Sequence, residues 1–378
     1  MHNDVCITAS LPCGELRMDI ERSQWPLDEI CGFANRRNIK RGFLFVSKVL
    51  GKHYPVRPSR MREIHRCLAE QLTDLPSPIL FIGMAETAVA LGHGVAECSE
   101  DWGKSSCLFL HTTRYASSRP NSLSFQESHS HATDHLLYLP AGNDAQAIFA
   151  HAKSLVVIDD ELSTGNTLSN LMSAYCELNP DVKELRAVSI TDWLGESRRL
   201  ELIESFKPKN LKFINVLQGK FSFTSDTSFD CGPRVNVTGN TDCKDKYLAN
   251  NYGRFGLTDS LDNDYQRMLE KTDIQKDDRI LVLGTGEFMY PPFLFAEWLE
   301  SQGYDVHFQS TTRSPILIGN EIKYAIETID NYWDDIPNYL YNVSPGQYDR
   351  VLIGYETSPL PAGHDLPQQL GATILEFV

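Results

Sequence analysis

At 378 residues the chain exceeds one ordinary core, and at about 150 residues per domain it suits two domains or slightly more. Hydrophobic residues at 42% and charged residues at 22% fit a globular chain and exclude a disordered one. With 35 Lys and Arg against 50 Asp and Glu, the net charge of −15 argues against nonspecific nucleic-acid binding as the main role.

The N-terminal segment has neither a basic region nor an unbroken apolar stretch, so no signal peptide is expected. The most apolar run, residues 79–95, is interrupted by Glu86 and His93 and is not read as a membrane span. Nine cysteines without a CxxC pair suit reduced thiols, and the expected location is cytoplasmic. From about Ile30 to Val216, short β-rich runs alternate with helical patterns. The runs are Phe43–Val46, Ile79–Ile82, Cys107–His111, Leu155–Ile158, Ala187–Ile190 and Lys212–Val216. Buried strands spaced by helices predict an α/β layer fold with a parallel sheet.

Between Ser222 and Gly256 periodicity dissolves into Ser, Thr, Asp, Asn and Gly, as in an interdomain connection. It resumes near Thr258 with strands at Arg279–Leu283, Asp305–Gln309 and Arg350–Ile353 and a helix over Phe293–Ser301. The expected division is a first domain over 1–218 with an N-terminal hood at about 1–40, a connection over 219–262, and a second, smaller α/β domain over 263–378. Charge is uneven. Residues 36–62 hold nine basic residues and no acidic one, whereas residues 266–378 hold seven basic and 17 acidic residues. A dense basic segment in an acidic chain suits a specific anion, and a solvated basic loop is the alternative.

The strongest signal is Leu155–Leu168, LVVIDDELSTGNTL. A buried strand ends in Asp159 and Asp160, and the loop Glu161, Leu162, Ser163, Thr164, Gly165, Asn166, Thr167 opens into a helix. Ligands in open α/β sheets bind beyond the carboxyl ends of strands. Gly165 permits close approach, Thr164 and Thr167 add hydroxyl donors, and a helix N-terminus completes an anion site sized for a phosphomonoester. The paired carboxylates suit a diol, a Mg²⁺ ion, or both.

This segment resembles the phosphoribosyl-pyrophosphate (PRPP) motif of type I phosphoribosyltransferases. The resemblance implies a parallel sheet of that type with a flexible hairpin loop. Phe81–Thr87, FIGMAET, then resembles the pyrophosphate loop, with Gly83, Met84, Ala85, Glu86 and Thr87 at the ligand. Residues 107–138 read as two strands around a polar insert, where the family has the loop that closes over the site. In that region Arg114, Glu127, His129 and His131 are candidates for acceptor contact. With His135 the histidines could instead hold a structural metal.

Thr-Arg-Ser-Pro at 312–315, Leu283–Pro292 (LGTGEFMYPP) and Arg41–Pro58 extend the likeness. Together they resemble a bacterial family in which a phosphoribosyltransferase domain is joined to a TRSP domain, associated with tellurite-resistance-type stress operons. The implied product is a nucleoside-like metabolite. Purine transferases usually place an Asp just before the Thr-Gly of the loop, and here that position is Ser163. This weakens a hypoxanthine- or guanine-type acceptor and leaves room for one that is already anionic.

The expected activity is Mg²⁺-dependent transfer of ribose 5-phosphate from PRPP to a small-molecule acceptor, with no nucleic-acid or membrane partner and with a homodimer possible. Asp159 and Asp160 would take the ribose hydroxyls and, partly through PRPP and water, Mg²⁺. Lys48, Lys52 and Arg57 are the picks for stabilising the leaving pyrophosphate. The rival reading is a PRPP-binding regulatory protein without catalysis. In the second domain, Gly284, Thr285, Gly286 and Glu287 follow one strand and Thr312, Arg313 and Ser314 another. Both loops should lie at one sheet edge, forming a second site or an Arg held by an acid.

Overall fold

Four apolar residues in a row, as at Leu155–Ile158, can be satisfied in a strand only when both faces are covered, and this requirement organises the first unit. The computed structural model describes residues 5–37, 41–104, 106–125, 135–230, 232, 235, 237, 239, 242–248, 251–319 and 321–377. Chain order begins with β1 (Val5–Leu11), β2 (Gly14–Ser23), α1 (Leu27–Ile30), β3 (Cys31–Asn35), β4 (Phe43–Ser47) and α2 (Pro58–Ala69). It continues through β5 (Ile79–Gly83), α3 (Val89–Cys98), β6 (Cys107–His111), β7 (Asn121–Phe125), β8 (His135–Tyr138) and α4 (Asn143–His151). The unit closes with β9 (Ser154–Leu162), α5 (Asn166–Leu178), β10 (Glu184–Asp192), α6 (Gly195–Ser205) and β11 (Asn210–Ser225).

The main sheet runs β1-β2-β11-β10-β9-β5-β6. Its five strands from β11 to β6 are parallel, as expected, but β2 pairs antiparallel to β11 and β1 to β2, so the sheet is mixed. Residues from Val5 to Ser23, expected within a hood, thus extend the sheet. Conversely Phe43–Val46, expected in the sheet, forms a separate antiparallel ribbon with β3. Phe45 stacks on Trp193 and meets Phe43 and Phe221 edge to face, which supplies the burial that suggested a sheet strand. Strand β11 continues past residue 218 through a bulge at Gln218/Gly219. The polar insert gives an antiparallel pair, β7 and β8, in addition to β6.

The second unit comprises α7 (Tyr265–Glu270), β12 (Arg279–Gly284), α8 (Tyr290–Ser301), β13 (Asp305–Ser310), β14 (Ala325–Ile329), β15 (Pro337–Tyr341), β16 (Arg350–Tyr355), α9 (Leu366–Leu370) and β17 (Thr373–Glu376). Four parallel strands run β13-β12-β16-β17, and β14 pairs with β15 apart from them. Pro291 and Pro292 sit in the first turn of α8, where a missing N–H leaves no intrahelical bond unmade. Between the units, residues 253–257 hydrogen-bond along β6. The N–H of Phe109 donates to the Leu257 carbonyl at 2.8 Å, and the bond is returned at 2.9 Å.

The units share a core. Val56, Met61 and Ala90 cluster with Ile280, Val282, Phe293 and Phe308. Helix α2 buries Met61, Ile64, His65 and Leu68, the i, i+3, i+4, i+7 stripe of an amphipathic helix. Arg62 crosses the junction with two parallel bonds of 2.7 Å to the Glu297 carboxylate and one of 3.0 Å to Glu97. The described cysteines are free, and among the described residues no helix is long and apolar enough to cross a membrane.

Helix α3 approaches the end of β5 closely. A Cβ on Gly92 would lie 2.8 Å from the Gly83 Cα and 3.2 Å from the Phe109 ring. The first neighbour is backbone and cannot swing aside. Gly92→Ala should therefore destabilise the protein by about 1–3 kcal/mol, as overpacked cores do, lowering the urea midpoint in equilibrium unfolding.

Candidate functional site

The carboxyl end of β9 carries the candidate residues Asp159 and Asp160. After fully buried Leu155–Ile158, Asp159, Asp160 and Glu161 come to the surface of the strand end, and Leu162 returns to the core. Gly165 has φ of 70°, the left-handed region, and a Cβ there would meet Leu202 at 3.0 Å. Glycine satisfies both demands, so the chain can turn from strand into α5. Helix α5 begins with no side-chain cap and no acidic residue in its first turn. Its first N–H groups and its dipole thus offer an anion-binding end. Arg198 of α6 braces the turn, donating to the Thr164 carbonyl (3.2 Å) and to Asn166 Oδ1 (2.9 Å).

Beside this turn the β3–β4 ribbon roofs a narrow cleft. Cys31, Phe45 and Ser47 line it from the ribbon, and Asp160, Glu161, Ile190 and Thr191 from the strand ends. Arg41 enters from the basic segment, 2.6 Å from Glu161 Oε1 and 3.4 Å from Ser163 Oγ, with its guanidinium over the Phe43 ring. Burial pushes the Asp160 carboxyl up to about 6; the Glu161 charge adds to the rise, and the Asp159 hydrogen bond opposes it. Asp160 therefore changes charge near neutral pH, unlike an ordinary carboxylate. Arg41 and Arg198 were not among the sequence candidates. The alternation Arg41, Phe43, Phe45 places all three on one face of the ribbon, a signal readable in the sequence.

The loop from Gly83 packs against β9. The Met84 N–H donates to the Ile158 carbonyl (2.9 Å) and the Ala85 N–H to Thr112 Oγ1 (2.8 Å), so these two donors serve the fold. Thr87 is half-buried. The Glu86 carboxylate is buried between Lys52 Nζ at 2.9 Å and Arg313 Nε at 3.1 Å. Burial alone would raise its pKa, but Lys52 and then Arg313 outweigh it and hold the carboxyl at about 2.

Most of the basic segment points elsewhere than the 161–167 turn. Lys48 pairs with Glu321 at 3.0 Å, and Arg57 pairs with Asp305 at 2.8 Å at the start of β13. Lys52 is fully buried, and besides Glu86 it donates to the Gly286 carbonyl at 2.8 Å. The structure thus brings Lys52 to the 83–87 loop and takes Lys48 and Arg57 to acids of the second unit.

The two loops of the second unit do converge. The Gly286 N–H donates to Thr311 Oγ1 (3.1 Å), and Ser314 N–H to Thr312 Oγ1 (3.2 Å). They face the first unit. Glu287 accepts from Thr113 Oγ1 (2.6 Å), the Arg114 N–H (2.8 Å) and Arg254 (3.0 Å), and Thr285 Oγ1 donates to the Gly354 carbonyl. Arg313 has an acid partner, Glu86, and a second contact at Tyr115 Oη (2.9 Å).

Both ring nitrogens of His135 are engaged, Nδ1 with Thr112 Oγ1 and Nε2 with Arg114. Glu127, His129 and His131 lie outside the described residues. Among the described residues no group of three or more His, Cys, Asp or Glu is arranged to hold a metal. Asp159 and Asp160 fit a hard cation that takes most of its oxygens from a ligand and water.

A family model described as a phosphoribosyl transferase matches residues 30–220, and a second, described as the TRSP domain C-terminal to it, matches residues 251–370. Among curated proteins no match was found. Similar solved structures include the adenine phosphoribosyltransferase of Rhodothermus marinus, 15% identical, covering 51% of this chain and 96% of its own, with a TM-score of 0.34. The adenine phosphoribosyl transferase of Trypanosoma brucei, solved with AMP, pyrophosphate and ribose-5-phosphate, is 10% identical. It covers 52% of this chain and 82% of its own, with a TM-score of 0.37. The orotate phosphoribosyltransferase of Aeropyrum pernix is 15% identical and covers 47% and 80%, with a TM-score of 0.29.

Because the Glu161 charge helps to raise Asp160, Glu161→Gln should lower the Asp160 midpoint below its value of about 6. Carboxyl ¹³C NMR titration of the two proteins measures this directly, and an unmoved or raised midpoint would contradict the electrostatic reading of the cleft.

Proposed function

Because the chain belongs to the phosphoribosyltransferase family that carries a C-terminal TRSP domain, we propose that it transfers ribose 5-phosphate from PRPP to a small-molecule acceptor. The observation that carries this reading is the end of β9, where Asp159 and Asp160 adjoin the uncapped start of α5 across the left-handed Gly165. The 5-phosphate would rest on Ser163–Thr167, with backbone N–H groups and the Ser163, Thr164 and Thr167 hydroxyls donating. Asp159 and Asp160 would accept from the two ribose hydroxyls and orient the ring. Mg²⁺, when bound, would add positive charge beside the pyrophosphate and is held partly by these carboxylates and mainly by oxygens of PRPP and water.

The Gly83–Thr87 loop, locked onto β9 and Thr112, would form the wall on the pyrophosphate side. The acceptor would occupy the cleft under the β3–β4 ribbon, stacked against Phe45. Its attacking nitrogen bonds to the anomeric carbon as pyrophosphate leaves with the bonding electrons, and the proton that this nitrogen loses passes to the departing pyrophosphate or to water. Two carboxylates line that cleft, and Arg41 neutralises Glu161. This favours a planar acceptor with N–H donors over the anionic one that Ser163 left open. Arg114, and the segment with Glu127, His129 and His131, are proposed to meet the acceptor from the β6–β8 side. The product would be a nucleoside-like metabolite, in keeping with the resemblance to stress-operon, tellurite-resistance-associated proteins.

Asp159→Asn and Asp160→Asn keep volume and remove charge at an accessible strand end. Each should stay folded and weaken Mg²⁺–PRPP binding about tenfold or more, the scale of one lost charged hydrogen bond, as read by calorimetric titration. A proton on Asp160 must leave before the carboxylate serves. Wild-type affinity should accordingly fall as pH drops through about 6 and level off above it. The activity itself is tested by pyrophosphate release from PRPP in the presence of a panel of heterocycles, amides and cell extracts. Tight PRPP binding with no release across the panel would favour the regulatory, non-catalytic reading.

A further inference from the structure

The C-terminal unit touches both walls of the site through one stretch of chain. From the end of β13 the Ser310 N–H donates to the Gly51 carbonyl at 2.8 Å, and Arg313 then reaches Glu86. Four residues further on, the Leu317 N–H donates to the Asn35 carbonyl at 2.8 Å, and the Pro315 carbonyl accepts from the Arg37 N–H at 3.1 Å. The Glu86 contact is on the loop beside β9, and the last two are at the end of β3 and just beyond it, in the ribbon that roofs the cleft. Resting on the functional reading above, we propose that Arg313 is a positioning residue for PRPP binding, setting the Gly83–Thr87 loop through the Glu86 carboxylate.

The environment of Arg313 suits positioning better than mere adhesion. Arg313, Glu86 and Lys52 are all buried, at 8%, 7% and 0% exposure, so solvent cannot replace a missing partner. Lys52 ties Glu86 and Gly286 together, and Arg313 ties Glu86 to Tyr115, whose ring stacks on Tyr332 of the C-terminal unit at 3.9 Å. A carboxylate buried between two cations, Lys52 from the first unit and Arg313 from the second, is constrained from both sides. Backbone donors tie Met84 to Ile158 and Ala85 to Thr112, whereas the carboxylate of Glu86, the next residue, is set by the two cations. Among the described residues the hydrogen bonds of Arg313 go to Glu86, the Val237 carbonyl and Tyr115, and of these Glu86 lies on the loop beside β9, so the proposed effect on a ligand runs through Glu86.

The test uses the full chain and calorimetric titration with Mg²⁺–PRPP, alongside thermal unfolding. Arg313→Met should lose about tenfold or more in affinity, within the usual range of coupling between sites. Arg313→Lys should fall between it and wild type. Glu86→Gln combined with Arg313→Met should bind no worse than Glu86→Gln alone, since one path is broken in both. Arg62→Met serves as the control, because it breaks an interdomain ion pair away from the loop. It should lower the melting temperature and keep affinity within about twofold.

The proposal is overturned if folded Arg313→Met binds as wild type does, or if Arg62→Met loses affinity to the same extent. Should Arg313→Met not fold, Glu86→Gln and Arg313→Lys decide, and wild-type affinity in either overturns it. A wild-type chain that binds no Mg²⁺–PRPP removes the functional reading and the positioning role together, whereas intact wild-type binding with an indifferent Arg313 removes only the latter.

Discussion

A carboxylate out of water must be matched by positive charge held nearby, and the protein meets this demand for Glu86 with cations from two different units. Removing one partner from such a buried set typically destabilises by about 3–5 kcal/mol, far more than a surface pair. That asymmetry gives the arrangement its consequence. Neither sheet can rotate against the other without stripping Glu86, so the carboxyl ends of β5 and β12 are held face to face. Similar matching recurs a few residues away, where Arg254 meets Glu287 and Glu356 with almost no exposure. The space between the two units thus holds several buried acids, each matched by cations.

The uneven charge of the chain finds its explanation here. Lys48, Lys52, Arg57 and Arg62 all find partners across the junction, at Glu321, Gly286, Asp305 and Glu297. The acidic character of the C-terminal unit thus complements the basic stretch of the first. Exposed pairs such as Arg57–Asp305 contribute about 0–1 kcal/mol, so their value lies in selecting the docking geometry. The adhesive term is apolar. Val56 and Met61 pack with Phe293 and Phe308 in one cluster, and burying such side chains contributes about 1.5–3 kcal/mol each.

Much of the fold was legible because its signals were local. Buried runs gave β5, β6 and β12 to within a residue and the cores of β9 and β10, whose strands run three or four residues further at one end, and Gly165 marked the turn that its φ requires. What escaped depends on contacts distant in sequence. Phe43–Val46 carries a strand's composition, but its partner is β3 and its burial comes from Trp193 and Phe221, about 150 residues or more along the chain. The hairpin of β1 and β2 alternates polar and apolar residues, as an edge half-exposed to water does, and composition alone does not say which sheet it joins. In the candidate segment 159–167 the left-handed turn and the helix start were readable, whereas Glu161 and Leu162, expected in the loop, belong to β9. The destinations of Lys48 and Arg57 were not readable, since a run of cations does not disclose where its counter-charges lie. Arg41 was visible as one of that run, and its alternation with Phe43 and Phe45 is the cue that separates it from the rest.

The segment at 253–257 has an effect of a different kind. By bonding along β6 it occupies a row of amide and carbonyl groups that a parallel sheet would otherwise present at its boundary. The polypeptide between the two units is thus a sealing element as well as a tether. A transferase unit cut free upstream of it would expose an unpaired strand border together with an acid stripped of one counter-ion. Such a fragment would be prone to self-association, so the two units must be inherited, expressed and handled as one molecule.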